Sequence, residues 1–153
     1  MPVLGFLRRG LSGEERVDLH EYLRAVRPLT ETLDREYAAW IEAAADSPRK
    51  LTLERDPDGQ HASVYLWRVG EIAREFVQRA PAKGAERYHE ATSLCLEARA
   101  AAADLLKEAT GTGSHNKPGG KVAAANNKLA DSERLLSRAR DELRLLEDRL
   151  AAK

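Results

Sequence analysis

The stretch KVAAANNKLADSERLLSRARDELRLLEDRL, residues 121–150, carries the most regular repeat in the chain and decides how the rest is read. Val122, Ala125, Leu129, Ser132, Leu136, Ala139, Leu143, Leu146 and Leu150 alternate spacings of three and four without a slip. A period of about 3.5 residues predicts a helix with a left-handed, coiled-coil-like seam. The opposite face pairs Arg138 with Glu142 and Arg144 with Asp148 at helical spacing and belongs in water. One such helix cannot bury its own stripe, so the preceding residues must supply partners.

Working back toward the N-terminus, Gly111 to Gly120 gathers turn formers and reads as a loop. Before it, residues 85–110 place Tyr88, Ala91, Cys95, Ala98, Ala102, Leu105 and Ala109 on one stripe of small side chains, suited to close helix approach. Pro81-Ala82-Lys83-Gly84 is a short joint that turns the chain back on itself. Residues 57–80 carry Tyr65, Val69, Ile72 and Phe76, widened by Ala62, Ala73, Val77 and Ala80, behind an Asp56-Pro57-Asp58 start signal. A hairpin across residues 50–67 is the competing reading, because Leu51 and Leu53, then Ala62, Val64 and Leu66, alternate about the turn-like Asp56-Pro57-Asp58-Gly59.

The first helix spans residues 13–46, with Ser12 and Glu15 as a capping pair and Leu19, Leu23, Val26, Leu33, Tyr37, Trp40 and Ala44 as its stripe. Pro28 predicts a kink or break there, with Thr30 as a second cap. The sum is an all-α fold: an antiparallel up-down-up-down four-helix bundle over residues 12–153, preceded by an apolar segment, residues 1–11.

Composition narrows the function. The chain of 153 residues has 25 Lys+Arg against 25 Asp+Glu, so no long-range field gathers polyanions, and nucleic acid is not an expected partner. A charged fraction of 33% and mean hydropathy of -0.54 leave no transmembrane segment. One cysteine, Cys95, and a start without a signal-peptide pattern point to the cytoplasm. The abundance of Arg and Ala fits a GC-rich bacterial genome.

Two local patterns suggest chemistry or partners. Glu86-Arg87-Tyr88-His89 puts a carboxylate and an imidazole on one helix face. It resembles half of the signature of ferritin-like di-iron carboxylate proteins, and that resemblance implies a metal site; the last helix, however, has no histidine. In the predicted topology His20 reaches a similar height to His89, giving His20, Glu86 and His89 as an alternative single-metal set. The loop end Gly119-Gly120-Lys121 departs from a phosphate loop, since Val122 stands where Ser or Thr is needed. Cys95, on the inner stripe, is expected to behave as a small hydrophobe.

At the N-terminus, Leu4, Phe6, Leu7, Arg8 and Arg9 form an apolar and basic segment that either folds back on the bundle or docks on a partner. Gly5-Phe6-Leu7-Arg8-Arg9 resembles the Gly-x-Leu-Arg-Arg core of encapsulin cargo-loading peptides, which implies a linear docking motif. It departs from them in standing at the N-terminus and in having Phe6 at a position where a small residue is usual. The functional expectation is a non-catalytic bundle, without cofactor, that binds another protein. The overhang of the longer helices leaves homodimerisation open.

Overall fold

A computed structural model of the chain describes residues 10–46, 50–111 and 118–152. The described residues are mostly helical, with four helices among them: α1 (Gly13–Ala44), α2 (Gln60–Gln78), α3 (Glu86–Thr110) and α4 (Pro118–Ala151). Between α1 and α2 lies a small antiparallel ribbon, β1 (Ala45–Asp46) and β2 (Lys50–Leu51), in which Ala45 faces Leu51 and Asp46 faces Lys50. The apolar residues 1–9, with Leu4, Phe6, Leu7, Arg8 and Arg9, lie outside the described residues, as do residues 112–117.

Ser12 starts α1 as its sequence pattern predicts, its Oγ accepting from the Glu15 N–H at 3.1 Å while Glu14 and Glu15 lie at the positive end of the helix dipole. The helix then runs unbroken through Pro28, which corrects the expectation of a break there. Pro28 and Arg24 both face solvent, so the carbonyl that Pro28 leaves unpaired is open to water. Thr30 does not cap a second helix; its hydroxyl donates to the Arg27 carbonyl at 3.0 Å.

The crossover to α2 follows the helical reading of the sequence over the hairpin, with a later start. Residues 62–66 are helical, so they form no strand, and the ribbon pairs 45–46 with 50–51 instead. Nor does α2 begin at 57. Asp56, fully buried, accepts from the backbone N–H groups of His61 and Ala62 at 3.0 Å each, and Pro57-Asp58-Gly59 forms a turn before the first helical residue. Gly59 has a φ of 69°, and a Cβ there would come within 2.5 Å of Thr110 Oγ1, so both backbone and space require glycine. Beyond β2, Asn126 of α4 closes the ribbon's edge, its Oδ1 accepting from Leu51 N at 2.8 Å and its Nδ2 donating to Leu51 O at 3.1 Å.

The core gathers Leu19, Leu23, Val26, Leu33, Tyr37 and Trp40 from α1 with Ala62, Tyr65, Val69 and Phe76 from α2. Val77 near the end of α2 and Ala80 beyond it are exposed instead of widening the stripe. On α3 the buried face is broader than the predicted stripe. It adds His89, Thr92, Leu96, Arg99 and Ala103, and Leu106 replaces Leu105 as the fully covered leucine. An unsupercoiled helix drifts against a strict 3.5-residue repeat, and α3 touches more than one neighbour. Along α4, Ala125, Ser132, Ala139 and Leu146, spaced by seven, are all buried, with Leu129 between them. The most extensive helix pairing is that of α3 with α4.

Candidate functional site

The fold places a cation at its centre. Arg99, on the inner face of α3, is 2% exposed, and its guanidinium carbon stands 3.9 Å from the centre of the Tyr37 ring. Its Nη1 donates to Asp34 Oδ1 at 3.2 Å, whereas its Nε–H has no acceptor. Burying a charge is costly unless partners surround it, and here the pairing is incomplete. Burial works against the charge, but Cys95, Tyr65, Asp34 and Tyr37 together outweigh it and hold the guanidinium above its ordinary value.

Around this arginine the aromatic side chains form two groups. Trp40 and Tyr65 stack at 4.6 Å beside Tyr37, whose hydroxyl donates to Glu133 of α4 at 2.9 Å. Nearer the start of α1, Phe76 stacks on the His89 ring at 4.7 Å, with Tyr22 and Tyr88 edge-on to this group. Burial raises the phenols of all four tyrosines, and for Tyr37 the hydrogen bond to Glu133 adds to that rise.

On the other side of Arg99 the packing is incomplete. A recess of about 130 Å³ opens between α1, α3 and α4, with Asp34, Thr92, Cys95, Arg99 and Arg140 among its walls and Ala139 and the leucines 33, 96, 136 and 143 beside them. Thr92 is 9% exposed and its hydroxyl lacks a well-formed hydrogen bond, although it lies close enough to the Tyr88 phenol to favour that group's ionised form. Burial pushes the Cys95 thiol up, away from the reactive thiolate.

The alternative metal set does not assemble in the structure. His89 is buried, with Nδ1 at 2.7 Å from the Tyr22 hydroxyl and Nε2 at 3.4 Å from the Val77 carbonyl, so both ring nitrogens are engaged. The Glu86 carboxylate turns back to accept from the Gly84 N–H. His20 is exposed and lines a separate groove with Arg24, Arg27, Glu31 and Glu147, which neither His89 nor Glu86 enters. Among the described residues no group of three His, Cys, Asp or Glu side chains is placed to hold a metal. Sequence reasoning singled out Cys95 and most of the apolar lining of the recess, but not Asp34, Thr92, Arg99 or Arg140. One signal for them existed: Arg99 follows Cys95 by four and precedes Ala102 by three, which places a charge on an inward stripe.

Comparisons with protein-family models, with curated proteins and with solved structures return no match. Among the described residues no helix is long and apolar enough to cross a membrane.

Proposed function

We propose that the chain is a cytoplasmic, non-catalytic accessory subunit that binds another protein, built as an antiparallel up-down-up-down bundle with a coiled-coil-like α4. The topology is supported by pairings along the helices. Arg16 near the start of α1 donates to Leu150 near the end of α4, and Tyr37 further along α1 meets Glu133 in the middle of α4. Trp40 meets Tyr65 early in α2, Phe76 late in α2 meets Tyr88 early in α3, and Glu108 late in α3 meets Lys121 early in α4.

The observation that carries the binding role is Trp67 on the outer face of α2. It is 82% exposed, and Val64, one turn earlier, is also exposed. A tryptophan in water leaves a large apolar area unburied, and tryptophan is among the residues that dominate protein interfaces. The non-catalytic reading is supported by the recess, where Cys95 is held as a thiol and the Asp34 carboxylate is paired with Arg99.

The test is a photo-reactive residue at position 67, with the same residue at exposed position 137 on α4 as the control. A single adduct of defined mass from position 67 alone is the expected result, and a mass of twice the chain would identify a second copy as the partner. Equal adduct patterns from the two positions would remove the basis for a binding face on α2.

A further inference from the structure

We propose that the recess over Arg99 is a binding site for a small monocarboxylate with a short apolar body. The first reason is an unused donor. A guanidinium carries five N–H groups; Arg99 has one ion pair, to Asp34, and its Nε–H has no partner although the residue is almost wholly buried. Asp34 is a poor counter-ion for such a site, because 45% of its side chain is in solvent. The second reason lies on the same wall, where the buried Thr92 hydroxyl lacks a well-formed hydrogen bond. Two buried polar groups with unused capacity thus line one recess, and each can donate a hydrogen bond to an anionic ligand.

Charge and shape narrow the ligand. The ionised groups lining the recess are Arg99 and Arg140 against Asp34, which leaves one positive charge for a ligand to neutralise. Leucines 33, 96, 136 and 143 make up much of the remaining wall, a surface that favours a hydrocarbon body over the fully hydrated shell of phosphate or sulfate. The volume of about 130 Å³ is on the scale of protein cavities that accept a benzene-sized guest. Branched short-chain acids and benzoate have this combination of size, single charge and apolar bulk.

Titrating the full chain with isovalerate and with benzoate, followed by NMR shifts and calorimetry, tests the assignment against their uncharged amides, isovaleramide and benzamide. The acids are expected to bind saturably, at least about tenfold tighter than the amides, because only they supply a charged acceptor. Arg140→Gln is expected to weaken acid binding roughly threefold to tenfold. Ala139→Leu, which places side-chain bulk in the recess, is expected to abolish binding while helicity stays unchanged. These two variants carry the test, since Arg99→Met changes the core and is informative only where it folds. Acids and amides binding alike, no saturable binding up to roughly 10 mM, or acid binding that survives Ala139→Leu would each overturn the proposal and leave the recess to water.

Discussion

The two sides of α3 are packed by different means. Toward α1 and α2 it meets rings: Tyr22, Tyr37, Trp40, Tyr65 and Phe76, in stacked and edge-on pairs. Toward α4 it meets a helix without a single aromatic residue, whose most deeply buried positions are Ala125, Ser132, Ala139, Leu129 and Leu146. Large flat side chains fill space at a distance, whereas small ones let backbones come close. The difference teaches where a gap can form: the recess opens where α1 meets the small-residue seam of α3 and α4, and not among the stacked rings.

The largest test of this contrast is alkaline titration. Burial raises the phenols of Tyr22, Tyr37, Tyr65 and Tyr88 in the folded state, and all four belong to the ring-filled side. A group with a raised folded value stabilises the fold fully below its ordinary value of 10.0 and loses that contribution as pH climbs beyond it. The chain is therefore expected to unfold cooperatively above about pH 11, with phenolate absorbance and loss of helicity rising together. Phenolate appearing in a still-helical chain would contradict the burial of these rings.

Next in size is Phe76→Ala, which removes a fully buried ring stacked on His89 and is expected to cost about 3–5 kcal/mol in denaturant unfolding. On the α4 side a paired experiment sharpens the contrast within one helix. Ala125→Leu, at a fully buried position, is expected to cost about 1–3 kcal/mol by overpacking. Ala139→Leu enters the recess and is expected to stay within about 0.5 kcal/mol of the parent. Equal costs at the two positions would mean that the seam is uniformly tight. Smallest of all, Trp67→Ser is expected to change stability by less than about 0.5 kcal/mol, since its ring contributes to neither side of α3.

The helices were legible because their stripes repeat. Ser12, Leu19, Leu23, Leu33 and Tyr37 took the roles their spacing predicts, and the seven-residue series from Ala125 to Leu146 is buried throughout. What the sequence misplaced depends on contacts distant along the chain. Pro28 reads as a breaker locally, but its position on the wet face spares α1. The hairpin offered as the competing reading of residues 50–67 gives way because Leu51 pairs with Ala45 on one side and Asn126 on the other, leaving residues 60–67 to the helix. The site was the least legible part. Arg99 counts as an exposed charge by composition, and only the convergence of Tyr37, Asp34 and the α4 wall makes it a buried one. His89, which a four-residue window offers only as an alternative ligand, is a core ring bridging Tyr22 and Phe76.

The amide of Asn126 acts on the outer margin of β2 as a further strand would, giving and receiving one bond with Leu51 across 75 positions of sequence. During synthesis this stopper arrives late. A ribosome-bound chain that has made the ribbon but not yet α4 leaves the Leu51 N–H and C=O without this partner, and completing the last helix supplies it.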